Sequence, residues 1–429
     1  MALVSDLPGH VSAATDDDHV DGVAAQMVAR PESAAQTADL LRACHQRELA
    51  VVVRGHGTKL TWGRPPERVD LLLDTTAMNG LVEHARGDLI ATVGAGMPLA
   101  RLQGLLADAG HQVALDDVLA PRPRVGTVSG TGAPDIAAGS TVGGAMMTNV
   151  SGPRRMWVGT LRDLVIGVKF VRADGTAAKA GGKVVKNVAG YDLSKLFTGS
   201  FGTLAVITEV TLRLHPLPAA SHWVGLTLAA DRLGEVLATM IASQLVPNAV
   251  EVHAAPGLDP TVVALIEGTE AGALARAEQL ADQLGADAWV HQEAPTWWAT
   301  MPSPAEHAQG SSGALLKTTA RLSGIPELVA ELTSHGATVI GSAGTGVLYA
   351  ALPVDAGSAD ASSLASALAS IRRTSSALGG STIVLDAPAA LKPGLDTWGP
   401  IAALDLMRRV KAEFDPQRVL APGRFVGGL

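Results

Sequence analysis

Three stretches in the first half of the chain set glycine and small hydroxyl residues directly after apolar runs. The first is Arg54-Gly55-His56-Gly57-Thr58, followed by Gly63. The second is Ser140-Thr141-Val142-Gly143-Gly144-Ala145, running on to Asn149 and Ser151-Gly152-Pro153-Arg154-Arg155. The third is Gly199-Ser200-Phe201-Gly202-Thr203-Leu204. Successive N–H groups in such turns form anion-binding concavities, and only glycine lets the backbone approach a phosphate closely. The Thr and Ser hydroxyls add donors. Any one of these stretches reads equally well as a tight turn. Three in one half, two of them beside an arginine, point to a phosphate-bearing ligand.

The common nucleotide motifs do not account for them. A dinucleotide fingerprint needs G-x-G-x-x-G after a strand. Gly94-Ala95-Gly96 comes nearest, but Leu99 fills the third glycine position and Pro98 intervenes. No G-x-x-x-x-G-K-[ST] occurs. The site is therefore neither a Rossmann pocket nor a P-loop.

The elements that must position these loops follow from periodicity. Residues 33–47 read as a helix after a Ser cap, and 50–55, 69–75 and 88–96 as short strands. Residues 98–110 read as a helix with Pro98 in its first turn and Gly110 at its end. Residues 163–182 form a hairpin turning at Asp174-Gly175. Within 202–218, Val206, Val210, Leu212 and Leu214 alternate along a strand, and the prolines after it mark a domain boundary. Residues 116–139 are rich in Pro, Gly and Ala and read as a long loop of the kind that is functional or mobile. After residue 218 the rhythm changes to strand, helix, strand, twice over. It predicts two joined ferredoxin-like units, one mainly antiparallel sheet with helices on one face, and an α+β class. The expected division is a flexible leader over 1–25, a domain over 26–218, a second over 219–398, and a closing segment over 399–429 that returns to the first.

Composition limits the function classes. The chain has 429 residues, 47% apolar and 17% charged, which suits two or three cored domains. A net charge of −8 argues against phosphate neutralisation on nucleic acid. Mean hydropathy is +0.24, yet no uncharged apolar run of spanning length occurs, and the acidic N-terminus lacks a signal-peptide pattern. The expected location is the cytoplasm. The single cysteine, Cys44, sits at helical spacing with Leu40 and Leu41 and reads as core; it excludes an internal disulfide or a cysteine-ligated iron–sulfur cluster in this chain.

The stretches VVVRGHGTKLTWG (51–63), VGAGMPLARLQGLLADAG (93–110), STVGGAMMTNVSGPRR (140–155) and GSFGTLAVITEVTLRLHPLP (199–218) together resemble the FAD domain of the vanillyl-alcohol oxidase/p-cresol methylhydroxylase (PCMH-type) superfamily. Within it, GGKVVKNVAGYDLSKLFTGSFGTL (181–204) and the closing FDPQRVLAPGRF (414–425) resemble the FAD-binding E subunits of bacterial glycolate oxidases. The resemblance implies a two-subdomain FAD-binding domain, a cap domain, and FAD as cofactor. Arg54, Gly55, His56, Gly57 and Thr58 would wrap the pyrophosphate. Thr141, Gly143, Gly144, Asn149 and Ser151 would line the pyrophosphate and flavin edge. Gly199, Gly202, Thr203 and Leu204 would follow the ribityl and flavin region, with Val206 and Ile207 on the adenine side. Lys186, Asn187, Tyr191 and Asp192 would lie near the cofactor, where a lysine close to flavin N1 would favour the anionic reduced form. Relatives that attach FAD covalently do so through a histidine that aligns with Thr58, so the FAD here is expected to be non-covalent. No metal is expected.

The resemblance also implies a 2-hydroxyacid substrate and two partners: a catalytic FAD subunit of the same fold and an iron–sulfur subunit, through which the chain would associate with the inner face of the membrane. One departure bears on this. Catalytic relatives carry H-x-G-D-G-N-x-H in the second half, which this chain lacks: His253 precedes Ala-Ala-Pro-Gly, and His291, His307 and His335 are isolated. No residues stand out as both hydroxyl base and carboxylate cation. Arg122 and Arg124 in the long loop, and the neighbours Trp297 and Trp298, are candidate pocket elements. Three readings stay open: a complex subunit, a self-sufficient 2-hydroxyacid dehydrogenase, and a non-catalytic flavin-containing assembly subunit.

Overall fold

The computed structural model describes residues 7–119, 139–183, 190–303, 312–354 and 361–429. The chain divides into two compact units: one of Met1–Ser151, Thr160–Leu217 and Pro400–Leu429, the other of Gly152–Gly159 and Pro218–Gly399.

The first unit holds two main sheets. In the first, Val11–Ala13, Val23–Ala29, Val69–Asp74 and Val51–Arg54 lie in that order, and His19–Val20 pairs with Val23–Ala29. The last three strands of that order are parallel. Val69–Asp74 is buried along its whole length, which suits its central Leu71-Leu72-Leu73 run. Helix Ala34–Gln46 starts where Ser33 Oγ accepts from Gln36 N at 3.2 Å. It buries Leu40, Leu41 and Cys44 against this sheet, and burial pushes the Cys44 thiol up to about 12. The flexible leader expected through residue 25 is corrected here. The chain from Val11 pairs into strands, and Val20 is fully buried. The polar run at 15–18 masked this, because Asp18 pairs with Arg54, 36 residues away.

The second sheet is antiparallel, in the order Ala177–Gly181, Val165–Val171, Val206–Arg213, Ile90–Gly94, Leu81–Ala85. The Asp174-Gly175 turn is present, with Gly175 at φ +80°. Leu81–Ala85 is half-exposed and gave no clear alternation, so the sequence reading passed over it. One further difference concerns a helix. Val142–Thr148, read as a glycine-rich loop, is a short helix capped by Thr141, whose Oγ1 accepts from Gly144 N at 3.1 Å. From the closing segment, Val51 N donates to Val419 O at 2.7 Å, which sets residues 419–421 beside the first sheet.

The second unit is one eight-stranded sheet, ordered Trp289–His291, Ala220–Thr227, Thr261–Gly268, Ala249–Ala254, Thr338–Ser342, Val347–Val354, Ser312–Thr319, Thr382–Asp386. Every neighbouring pair is antiparallel. Each half runs strand-helix-strand-strand-helix-strand with spatial order 4-1-3-2, the ferredoxin-like arrangement, and the halves join through their second strands. Strand alternation sends Val250, Val252, Val262, Ala264, Leu348 and Ala350 to one face. There they pack with Leu237, Ala277, Leu328 and Leu368 from the four helices in one continuous core. The opposite face carries Glu251, His253, Glu267, Lys317 and Tyr349. Among the described residues no helix is long and apolar enough to cross a membrane.

Candidate functional site

A cavity in the first unit collects all three glycine-rich stretches. It is lined by Gly55, His56, Gly57 and Thr58 from the first, by Thr141, Gly143 and Gly144 from the second, and by Gly202 and Ile207 at and beyond the third. The first stretch leaves the end of a parallel strand, so its amides open away from the sheet. Among the described residues, the N–H groups of Gly55, His56, Gly57 and Thr58 have no backbone acceptor. Four successive donors without an acceptor among the described residues, in a glycine turn, form an anion cradle. Gly57 lies at φ +79°, a conformation that favours glycine. A Cβ on Gly55 would overlap the Thr141 side chain, and one on Gly143 would meet the Ala95 carbonyl at 2.9 Å. The walls are as close as glycine allows.

The loop is held from behind. His56 Nδ1 donates to Gly139 O at 3.0 Å. Lys59 Nζ donates to Thr58 Oγ1 at 3.1 Å and to Ser140 Oγ at 2.8 Å, and Ser140 Oγ donates to Asp117 Oδ1 at 2.9 Å. Burial lowers the Lys59 ammonium to about 8, against the opposing pull of Asp117. Arg424 Nη2 donates to the carbonyls of Lys59 and Leu60 at 2.8 and 2.7 Å, so the closing segment pins the loop. The third stretch is pinned likewise. Buried Lys411 Nζ donates to Thr203 O, Asp415 Oδ2 and Leu420 O at 2.7, 2.7 and 2.9 Å. Phe201 stands at φ +56°, strained for an aromatic residue, beside Phe425 with ring centroids 5.5 Å apart.

The remaining expected residues lie outside the cavity lining. Arg54 is committed to Asp18 and Asp74, at 2.8 and 3.2 Å, so its guanidinium fixes the strand end. Asn149 caps the short helix at φ +50°, and its Oδ1 accepts from Arg162 N at 3.4 Å. Ser151 Oγ accepts from Leu161 N. Gly199 N donates to Met146 O, Thr203 Oγ1 bonds Ser200 O, and Leu204 and Val206 are buried core. Tyr191 is 92% exposed, and neither it nor Asp192 lines the cavity. Lys186, Asn187, Arg122, Arg124 and His307 lie outside the described residues. The lining also includes Lys59, Thr75, Met147, Thr148, Phe201 and Arg424, which sequence reasoning did not select. Lys59 and Arg424 stand inside quoted motifs, but their burial is set by contacts between segments 365 residues apart.

Asp74 provides a pH test of this scaffold. Burial alone would raise its carboxyl, but the Thr76 hydroxyl and amide, with Arg30 and Arg54, hold it below the usual value. A depressed folded pKa contributes stability above the unfolded value, near 4, and loses it as pH falls through the folded one. Wild type should therefore lose urea resistance below about pH 4. Asp74→Asn should show a shallower fall over the same range, though from a lower plateau.

The second unit has its own polar group on the face opposite its main core. Arg154 meets buried Glu267 through Nε and Nη2, at 3.1 and 2.6 Å to Oε1. Lys317 and Tyr349 are cross-strand neighbours, and Arg155 lies close enough to act on Lys317 electrostatically. Burial holds the Lys317 ammonium below its ordinary value, Tyr349 opposing and Arg155 reinforcing the shift. Glu251 and Ser342, also cross-strand neighbours, are buried on the same face. Trp298 is core, His253 stacks on Trp297, His291 stacks on Trp289, and His335 bonds Glu331. Among the described residues no three His, Cys, Asp or Glu side chains gather as a metal site.

Residues 25–134 and 128–181 match the FAD binding domain family. The chain is 33% identical to glycolate oxidase subunit GlcE of Escherichia coli over 40% of this chain and 44% of that one. It is 28% identical to glycolate oxidase subunit GlcD of Bacillus subtilis over 92% and 88%. It is 35% identical to a D-lactate dehydrogenase of Archaeoglobus fulgidus over 44% and 39%. The first and third matches thus span less than half of those relatives. Alkyldihydroxyacetonephosphate synthase shares the fold, with TM-score 0.67 at 16% identity over 93% of this chain and 76% of that one. The cavity residues fit the cofactor: an amide cradle and a buried cation suit its diphosphate, and the glycine walls admit a close ligand. Residues 25–181 thus carry an FAD binding domain, with FAD as the cofactor, and the relatives that the chain resembles include glycolate oxidase subunits and a D-lactate dehydrogenase.

Proposed function

We propose that this chain is the FAD-binding subunit of a glycolate oxidase-type 2-hydroxyacid dehydrogenase complex, passing electrons to an iron–sulfur partner. The observation that carries the reading is the amide-and-lysine cradle built by three separated loops, in a chain whose one cysteine is buried and cannot ligate a cluster. Similarity to glycolate oxidase subunits of two kinds supports a system with a second FAD subunit of the same fold. In this reading the complex works in the cytoplasm at the inner face of the membrane, held there by its partners. Bound FAD supplies the two-electron acceptor. The protein's part is to hold the diphosphate, exclude side chains from the cofactor path and fix the loops. In this reading the FAD is held without a covalent bond, and His56 Nδ1 is engaged by a carbonyl. Acid precipitation should release free FAD into the supernatant; flavin remaining with the pellet contradicts this.

A second reading, turnover by this chain alone, is favoured by Lys317 and Arg155. Two cations beside Tyr349 on one sheet face suit a substrate carboxylate. Anaerobic mixing with glycolate or D-lactate separates the two. Bleaching of the flavin only after partner chains are added supports the subunit. Bleaching in the single chain supports self-sufficiency, and Lys317→Met should then raise KM at least tenfold with little change in flavin content. No bleaching under either condition contradicts both.

A further inference from the structure

We infer that Lys59 is the charge partner of the cofactor diphosphate and takes up a proton as the cofactor binds. The inference rests on FAD as the cofactor of this cavity and adds a role for a residue outside the expected set. Three observations carry it. Lys59 lines the cavity and is 7% exposed. Its ammonium has three donors, of which the described residues engage two, both through neutral hydroxyls: Thr58 Oγ1 and Ser140 Oγ. Among the described residues no carboxylate bonds it directly; Asp117 acts from behind Ser140, at one bond's remove.

A buried cation without a contacting counter-ion is costly unless an anion arrives or the proton leaves. The amides of Gly55, His56, Gly57 and Thr58 fix where an anion sits, and Lys59 directly follows them. Among the described residues nearby, His56 Nδ1 bonds Gly139 O and Arg424 Nη2 bonds the Lys59 carbonyl. Neither is an anion. Before binding, burial leaves Lys59 partly deprotonated at mildly alkaline pH, with its midpoint at about 8. The arriving diphosphate favours the charged form and raises that midpoint. One proton then moves from solvent to the amine nitrogen; no covalent bond to phosphorus forms or breaks.

The sign follows. Well below pH 8 the ammonium is already present, so affinity is flat and no proton is taken up. Above it, affinity falls by up to about tenfold per pH unit until the raised midpoint is passed. The experiment is calorimetric titration of the flavin-free full chain with FAD, with ADP and with riboflavin, from pH 6 to 9, in buffers of different ionisation enthalpy. FAD and ADP should each take up close to one proton at the alkaline end, and FAD, which has no terminal phosphate to titrate, none at pH 6, whereas riboflavin, which lacks a diphosphate, should show no linkage. Lys59→Met should bind FAD about tenfold to a hundredfold more weakly at pH 7, without proton uptake. Lys59→Arg should restore affinity and flatten the pH profile. FAD binding by wild type without proton uptake overturns the role of Lys59, since a merely structural lysine would weaken binding equally at every pH. Full affinity in Lys59→Met also overturns it. A chain that binds neither FAD nor ADP overturns the cofactor assignment itself.

Discussion

Gly55→Ala should give a folded chain that binds FAD roughly tenfold to a hundredfold more weakly, the equivalent of the ~1–3 kcal/mol that overpacking costs in a close-packed site. The new methyl would collide with the Thr141 hydroxyl and lie 3.0 Å from its Cγ2. Thr141 cannot simply swing away, because its Oγ1 caps helix Val142–Thr148 through Gly144 N. The first two cavity walls must therefore part, spreading the four amides. Fluorescence titration measures the loss, with far-UV circular dichroism as the fold control. Thr141→Ala removes the obstacle, so Gly55→Ala/Thr141→Ala should recover part of the lost affinity. A single variant with wild-type affinity would show that the walls are not in register with the cofactor.

Lys411→Met should be the most destabilising single change outside the hydrophobic cores. Lys411 is 3% and Asp415 0% exposed. The Asp415 carboxylate also accepts from the amides of Val419 and Leu420, at 2.9 and 2.7 Å. Removing the cation leaves a buried carboxylate with amide donors only, which costs ~3–5 kcal/mol. For a chain of this size that corresponds to a fall in thermal midpoint of roughly 3–6 °C. Because Lys411 also holds the Thr203 carbonyl, flavin affinity should fall together with stability. Differential scanning calorimetry with and without added FAD reads both. Lys411→Met/Asp415→Leu, which removes both buried charges, should recover much of the stability but not the hold on Thr203.

Parts of this were legible in the sequence because their causes are local. Glycine at 57 answers to its own left-handed backbone, at φ +79°. The double ferredoxin pattern shows as period-two alternation with helices between, and the structure bears out the α+β class with its antiparallel sheet. What escaped depends on partners far along the chain. Arg54 reads as a phosphate ligand until Asp18 and Asp74 are seen to claim it. The glycine pair 143–144 reads as loop because its helix comes from a Thr cap and from packing, not from propensity. Lys59 meets Arg424 across nearly the whole chain. Lys317 and Arg155 come together only when residues 152–159 join the second unit.

The claim beneath all of this is that the three loops of the first unit make one FAD site. Titration of the flavin-free chain with FAD, followed by flavin fluorescence and repeated with ADP as competitor, tests it most directly. The account predicts saturation at one FAD per chain, competition by ADP through the diphosphate cradle, and weakened binding of both ligands in Gly55→Ala. Absence of saturable binding, or binding that neither ADP nor Gly55→Ala disturbs, would contradict it.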